Sequence, residues 1–161
     1  MKLFSEYLEE AENKKEKSGT YAALLPSPAT RMWLHKWMEQ QNIKEMVDAK
    51  DYHCTVVYST TPVPEIKDIP VDLPMKTSFK EWKVFGDDKM LVATLNAPGA
   101  VKLFEQTIKA GAVSDYPSYV PHISVALHYE GELPEKEPKF SIWFEKFKVA
   151  PLDEDFQYTA D

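Results

Sequence analysis

A second cysteine is missing: Cys54 stands alone in 161 residues, so no disulfide can form within the chain, which fits a reducing compartment. Also missing is any apolar run approaching the roughly 18 to 20 residues that span a bilayer. The stretch from Met1 to Lys17 is too charged to hold the apolar region of a secretory signal. These absences predict a cytoplasmic protein with no membrane association. Nor is there a basic stripe. Asp and Glu outnumber Lys and Arg 26 to 19, the formal charge is −7, the lysines are scattered among acids, and Asp153, Glu154, Asp155 and Asp161 make the C-terminal stretch acidic. Tracking a long nucleic acid requires clustered cations that neutralise phosphates and release counterions. A phosphate-bearing substrate is therefore expected to be a small nucleotide held in a cleft, not a long duplex. No feature points to a protein partner.

What is present suffices for one core: 43% of the residues are hydrophobic, and a chain of this length is expected to form a single domain over 1–161. Residues 1–18 read as a helical extension, because Leu3, Phe4, Tyr7, Leu8 and Ala11 recur at helical spacing before Ser18 and Gly19 break the pattern. Thr20 to Leu25 reads as a strand. Pro26 and Pro28 precede a helical pattern from Ala29 to Gln41, with Trp33, Leu34, Trp37 and Met38 as its core face and Asn42 as its cap.

Further strands are expected at Tyr52 to Ser59, Lys76 to Phe85, Lys89 to Asn96, Tyr119 to Tyr129 and Phe140 to Val149. Gly86, Asp87 and Asp88 make the turn of a hairpin. The segment from Thr60 to Pro74 holds Pro62, Pro64, Pro70 and Pro74 and reads as a connecting loop. Pro98 opens a second helix that Gly111 ends.

The order repeats. Strand, helix and a strand containing His53 are followed by strand, helix and a strand containing His122. The offset between the histidines is 122 − 53 = 69, and that between the leading strands is 89 − 20 = 69. Two such units about a pseudo-twofold axis predict an α+β fold of two strand-helix-strand lobes, at about 20–75 and 76–150, with antiparallel sheets forming a concave cleft, helices outside and 151–161 as a tail.

Each histidine strand carries a hydroxyl two residues on. Side chains alternate along a strand, so His53 and Thr55 share one face, as do His122 and Ser124, each pair about 7 Å apart. Cleaving a phosphodiester through an adjacent ribose hydroxyl needs a base for the 2′ proton and an acid for the departing 5′ oxygen. Two imidazoles supply both near neutrality. The hydroxyls of Thr55 and Ser124 can donate to the non-bridging oxygens as charge grows there. A zinc site would need a third ligand near both histidines and no His or Cys is placed for one, so neither metal nor other cofactor is expected. His35 reads as a solvated helix residue. His128 shares the face of His122 but lies about 20 Å along the strand, out of reach of the same proton transfer. Cys54 points away from the cleft and reads as a buried thiol.

The paired motifs His53-Cys54-Thr55 and His122-Ile123-Ser124 resemble the signature of the two-histidine (2H) phosphoesterases, over about Thr20 to Val149. The stretches Ser18-Gly19-Thr20-Tyr21, Tyr52 to Ser59, Tyr119 to Ser124 and Pro151-Leu152-Asp153 resemble, within that superfamily, the phage anti-CBASS nucleases. The resemblance implies a bilobal LigT-like fold and a metal-independent phosphodiesterase that opens cyclic di- and trinucleotide signals of bacterial immunity. It also implies base stacking by Tyr21 and Phe156. Trp82, on a strand leading towards the cleft, is a further stacking candidate. The resembling nucleases carry an acidic residue before Pro-Leu-Asp, where this chain has Ala150. Two alternatives stand beside this reading: the same chemistry on linear RNA 2′,3′-cyclic ends or 2′-5′ linkages, and a non-catalytic sponge for cyclic nucleotides.

Overall fold

The computed structural model describes residues 19–114 and 118–152. The expected N-terminal helix, the tail 153–161 and Phe156 lie outside the described residues. Six strands, β1 (Gly19–Pro26), β2 (Cys54–Ser59), β3 (Met75–Phe85), β4 (Met90–Asn96), β5 (His122–Ala126) and β6 (Ile142–Leu152), form one antiparallel sheet in the order β2-β1-β6-β3-β4-β5. Two helices, α1 (Pro28–Gln40) and α2 (Pro98–Lys109), follow β1 and β4.

Local chemistry sets the helix ends. Ser27, extended at φ −65° and ψ 156°, accepts the Thr30 N–H on its side chain at 3.2 Å, and Pro28 occupies the first turn, where a missing N–H costs nothing. Asn42, at φ 57°, takes the left-handed position after α1. Pro98 opens α2, and Gly111 at φ 114° follows it. At the start of β1 only glycine fits: a Cβ on Gly19 would collide with the Ser59 carbonyl oxygen and lie 2.9 Å from Leu152 Cδ2.

The core fills the space between the helices and one face of the sheet. Leu34 and Met38 of α1 and Ala100 and Leu103 of α2 meet Ala22, Leu24, Cys54, Val56, Val57, Ala93, Ile123 and Val125. Fully burying a leucine or methionine contributes about 1.5–3 kcal/mol, so this face holds the two helices in place. Trp33, expected in the core, is instead 44% exposed and packs edge-on to Phe140. The two rings line an outer groove with Lys36, Trp37 and Gln40.

The repeat is deeper than element order. β1 and β2 slip register at Ala22/Ala23, which leaves Val56 as an extra residue, and β4 and β5 slip at Leu91/Val92, which leaves Val125. The offset between the two bulges, 125 − 56 = 69, equals that of the histidines. Each bulge lets two consecutive apolar residues, Val56-Val57 and Val125-Ala126, enter the core. The inner strands follow an offset of their own. Glu145 of β6 is bulged against β1 and Lys80 of β3 against β4, and here the difference is 145 − 80 = 65. Where β3 and β6 pair, Thr77 faces Ile142, and 142 − 77 = 65 again, so the pseudo-twofold axis passes through that pair.

This topology corrects the expected lobe boundary. From Lys146 to Leu152 the last strand pairs with β1 and completes the first lobe's sheet, and only its start, Ile142 to Phe144, pairs with β3 of the second.

β2 and β5 stand at opposite ends of the sheet order yet touch, so the sheet folds back on itself. Each is also covered by the other half. The segment after α1 runs along β5, through Val47 N–H to Val125 O at 2.9 Å and Leu127 N–H to Glu45 O at 3.0 Å. The segment after α2 runs along β2, through Thr60 N–H to Val113 O at 3.3 Å and Val113 N–H to Ser59 Oγ at 3.0 Å.

Candidate active site

Antiparallel partners point to the same side, and the registers therefore sort the site by face. Thr55 pairs with Ala23, and Tyr58 with Tyr21, on the side opposite the helices. Ser124 pairs with Val92 and His122 with Thr94, also on that side. The motif strands thus present their hydroxyls and histidines away from the core, and Cys54 and Ile123 fall in it, as alternation requires.

The two imidazoles are held alike. His53 Nδ1 lies 2.8 Å from the carbonyl oxygen of Asp51, and His122 Nδ1 lies 2.7 Å from that of Val120. A carbonyl only accepts, so each Nδ1 carries a proton and donates it. In the neutral ring this leaves the lone pair on Nε2; in the charged ring it puts a removable proton there. His53 is 5% exposed and His122 is half-buried.

The supports of the two rings differ. Behind His53, Arg31 of α1 donates from one guanidinium nitrogen to the carbonyls of Ala49 and Lys50 at 3.0 and 2.6 Å, and from Nε to that of Pro26 at 3.1 Å. The helical turn Ala49–Asp51 is thereby tied to the end of β1, and this turn supplies the Asp51 carbonyl. Burial lowers the Arg31 pKa below its usual value, against the opposing influence of Asp51 and Glu145. The histidine offset carries Arg31 onto Ala100, so the second lobe has no such clamp. Beside His122 stands Phe85 instead, edge-on with centroids 5.1 Å apart.

Tyr21 sits on the site face, but its ring is 1% exposed and its hydroxyl is 2.6 Å from Thr55 Oγ1. In this arrangement it orients the motif threonine and offers no open face to a base. Trp82 is misplaced in the sequence reading. It pairs with Ala93 and so faces the helices, where its indole stacks on Trp37 at 5.4 Å and donates to the Lys136 carbonyl at 2.9 Å. The Lys80 bulge sits two residues before it, and an apolar ring on this side gains a core. His128 also departs from expectation. The Val125 bulge breaks the alternation after Ser124, and His128 lies beyond the strand at φ 48° with Nδ1 3.2 Å from Glu45 Oε1. His35 is half-buried beside Tyr52, with Nδ1 3.4 Å from the phenol oxygen.

Sequence reasoning missed Arg31, Phe85 and Tyr119. Tyr119 stacks on Phe104, with centroids 4.7 Å apart and planes 4° from parallel, and donates to the Thr55 carbonyl at 2.8 Å. Among the described residues no three His, Cys, Asp or Glu side chains are grouped to hold a metal ion.

A family model described as anti-CBASS protein Acb1 matches residues 18–159. The chain belongs to that family. An anti-CBASS protein Acb1 of Vibrio phage KVP40 is 28% identical over 115 residues, which cover 69% of this chain and 74% of the phage protein. Among solved structures, one described as a phosphoesterase aligns with a TM-score of 0.62 at 15% identity, over 90% of this chain and 95% of its own. Escherichia coli LigT in apo form aligns with a TM-score of 0.59 at 16% identity, over 84% and 87%. At these identities the structural likeness establishes the fold alone: this member of the anti-CBASS family has a LigT-like fold.

Proposed function

We propose that this protein is a metal-independent phosphodiesterase that opens a 3′-5′ bond of cyclic di- or trinucleotide immune signals in the infected cell's cytoplasm, evading CBASS defence. One observation carries the reading: in each of two equivalent lobes, an imidazole donates through Nδ1 to the carbonyl two residues earlier and shares a face with a hydroxyl two residues later. With Nδ1 holding its proton in this way, Nε2 is the nitrogen of each ring that can exchange a proton with the substrate.

In the proposed reaction one Nε2 takes the proton of the ribose 2′-hydroxyl, whose oxygen attacks the adjacent phosphorus. The other Nε2–H protonates the departing 5′ oxygen, giving a 2′,3′-cyclic phosphate end. In the second step the roles reverse. The ring that gave up its proton activates water, the ring that gained one returns it to the 2′ oxygen, and a 3′-phosphate results. Thr55 and Ser124 donate to the non-bridging oxygens, with the Thr55 hydroxyl oriented by Tyr21. The pseudo-twofold relation makes substrate orientation decide which histidine is base.

The test is to incubate the protein, His53→Ala and His122→Ala with a panel of cyclic di- and trinucleotides in excess chelator and to identify products by mass. Ring opening by the wild type alone, through a 2′,3′-cyclic phosphate, is expected. A single-histidine variant that still cleaves, or cleavage of a ring lacking the 2′-hydroxyl beside the scissile phosphate, refutes the mechanism. Intact rings recovered with bound protein would instead identify a sponge.

A further inference from the structure

The offset of the inner strands exposes a relation that the offset of the motifs hides. Lys83 of β3 and Lys148 of β6 differ by 148 − 83 = 65, as the inner bulges do, and occupy equivalent positions about the pseudo-twofold axis. Lys83 pairs with Val92, which pairs with Ser124. Lys148 pairs with Ala23, which pairs with Thr55. Each lysine therefore stands on the site face, in the same cross-strand row as a motif hydroxyl and two strands inward from it. Two strand spacings are about 10 Å, and a four-carbon stem covers much of that distance.

The residues between are small or apolar. Ala23 and Val92 are fully buried, and neither competes for a charge. Among the described residues, the registers put Lys76, Lys83, Lys146 and Lys148 on this face with one paired acid, Glu81, and the two bulges add one charge of each sign, Lys80 and Glu145. A chain of net charge −7 has thus gathered cations on the inner strands of its site face. Lys83 lies 3.4 Å from Glu81, but both are about half exposed, and a pair of that kind is weak enough for a phosphate to replace.

Building on the proposed function, we propose that Lys83 and Lys148 are phosphate subsites for the internucleotide phosphates flanking the one being cleaved. A cyclic trinucleotide has three phosphates, and the site then has three stations: the histidine-hydroxyl centre and one lysine on each side of it. A cyclic dinucleotide has one flanking phosphate, which either lysine can take. The lysines are binding groups for ring size and take no part in proton transfer.

The experiment measures equilibrium binding by calorimetry in the His122→Ala background, so that ligands stay intact, with added Lys83→Met, Lys148→Met or both. Methionine keeps much of the stem and removes the charge. The probes are a cyclic trinucleotide, a cyclic dinucleotide and adenosine 2′,3′-cyclic monophosphate. Each single change is expected to weaken the trinucleotide about tenfold and to reduce the salt dependence of its binding by about one ion contact. The dinucleotide should lose about tenfold only in the double variant, and the single-phosphate probe should be unaffected. Unchanged trinucleotide binding, or an equal loss for the single-phosphate probe, overturns the subsites. Cleavage failing in the wild type while lysine-dependent binding persists would overturn the catalytic reading and leave the subsites standing.

Discussion

The phenol of Tyr119, three residues before His122, donates to the backbone carbonyl of Thr55, two residues after His53, at 2.8 Å. One hydrogen bond thus joins the approach to one motif to the heart of the other, across strands at opposite ends of the sheet order. Tyr119→Phe would keep the stack on Phe104 and remove this bond, along with the 3.7 Å contact between the phenol oxygen and Cys54 Sγ. The expected cost is about 1–2 kcal/mol in denaturant unfolding, with a larger relative loss of turnover than of ligand binding. Unchanged turnover would show that the bond does not set the spacing of the motifs.

Arg31 provides a second mutational test. Arg31→Ala should cost about 2–3 kcal/mol, because charge-assisted bonds to three carbonyls disappear, and should lower turnover through a loosened His53. Arg31→Lys should restore little, since an ammonium lacks the planar fork that reaches Pro26 and the 49–50 carbonyls together. Urea melts and single-turnover rates separate the two effects.

The mechanism requires one neutral and one protonated imidazole, so the rate should form a bell against pH, falling on the acid side as the base is protonated and on the alkaline side as the acid loses its proton. Replacing either histidine with glutamine should cost about 10²–10⁴-fold in rate at the optimum. A wild-type rate that keeps rising with pH would contradict paired acid and base.

Stability in alkali should depend on Tyr52. Burial first, then Asp48 and Glu39, hold its phenol protonated well above the ordinary tyrosine range. Since the folded-state pKa is the higher one, the folded form binds more protons than the unfolded chain above about pH 10, and stability must fall as pH rises through that window. Below it the contribution is fully present. Tyr52→Phe should therefore flatten the alkaline limb of a stability-against-pH curve; an unaltered limb would place the loss elsewhere.

The motif pairs, their strand context and their shared offset are legible in the sequence because each depends on local alternation or on counting. Trp82 and His128 defeat that reading where alternation is carried past a bulge, at Lys80 and at Val125. A bulge is decided by what packs on the core face and leaves no mark of its own in a run such as Val56-Val57 or Val125-Ala126. The returning β6, the Arg31 clamp and the Tyr119 bridge are illegible for another reason: each joins segments far apart in the chain, and nothing in the spacing of Arg31 and Ala49, or of Tyr119 and Thr55, announces contact. Lys83 and Lys148 escape notice because the inner strands repeat on a different offset from the motifs.

The reciprocal covering of β2 by the stretch after α2, and of β5 by the stretch after α1, has a consequence for divergence. A repeated fold invites one copy to drift while its twin keeps working, yet here each copy shields the other's outermost strand. A half expressed alone would expose a bare pairing edge prone to self-association. The two copies are thus bound to persist together, even where Arg31 and Ala100, or Tyr21 and Met90, have already parted ways in what they do.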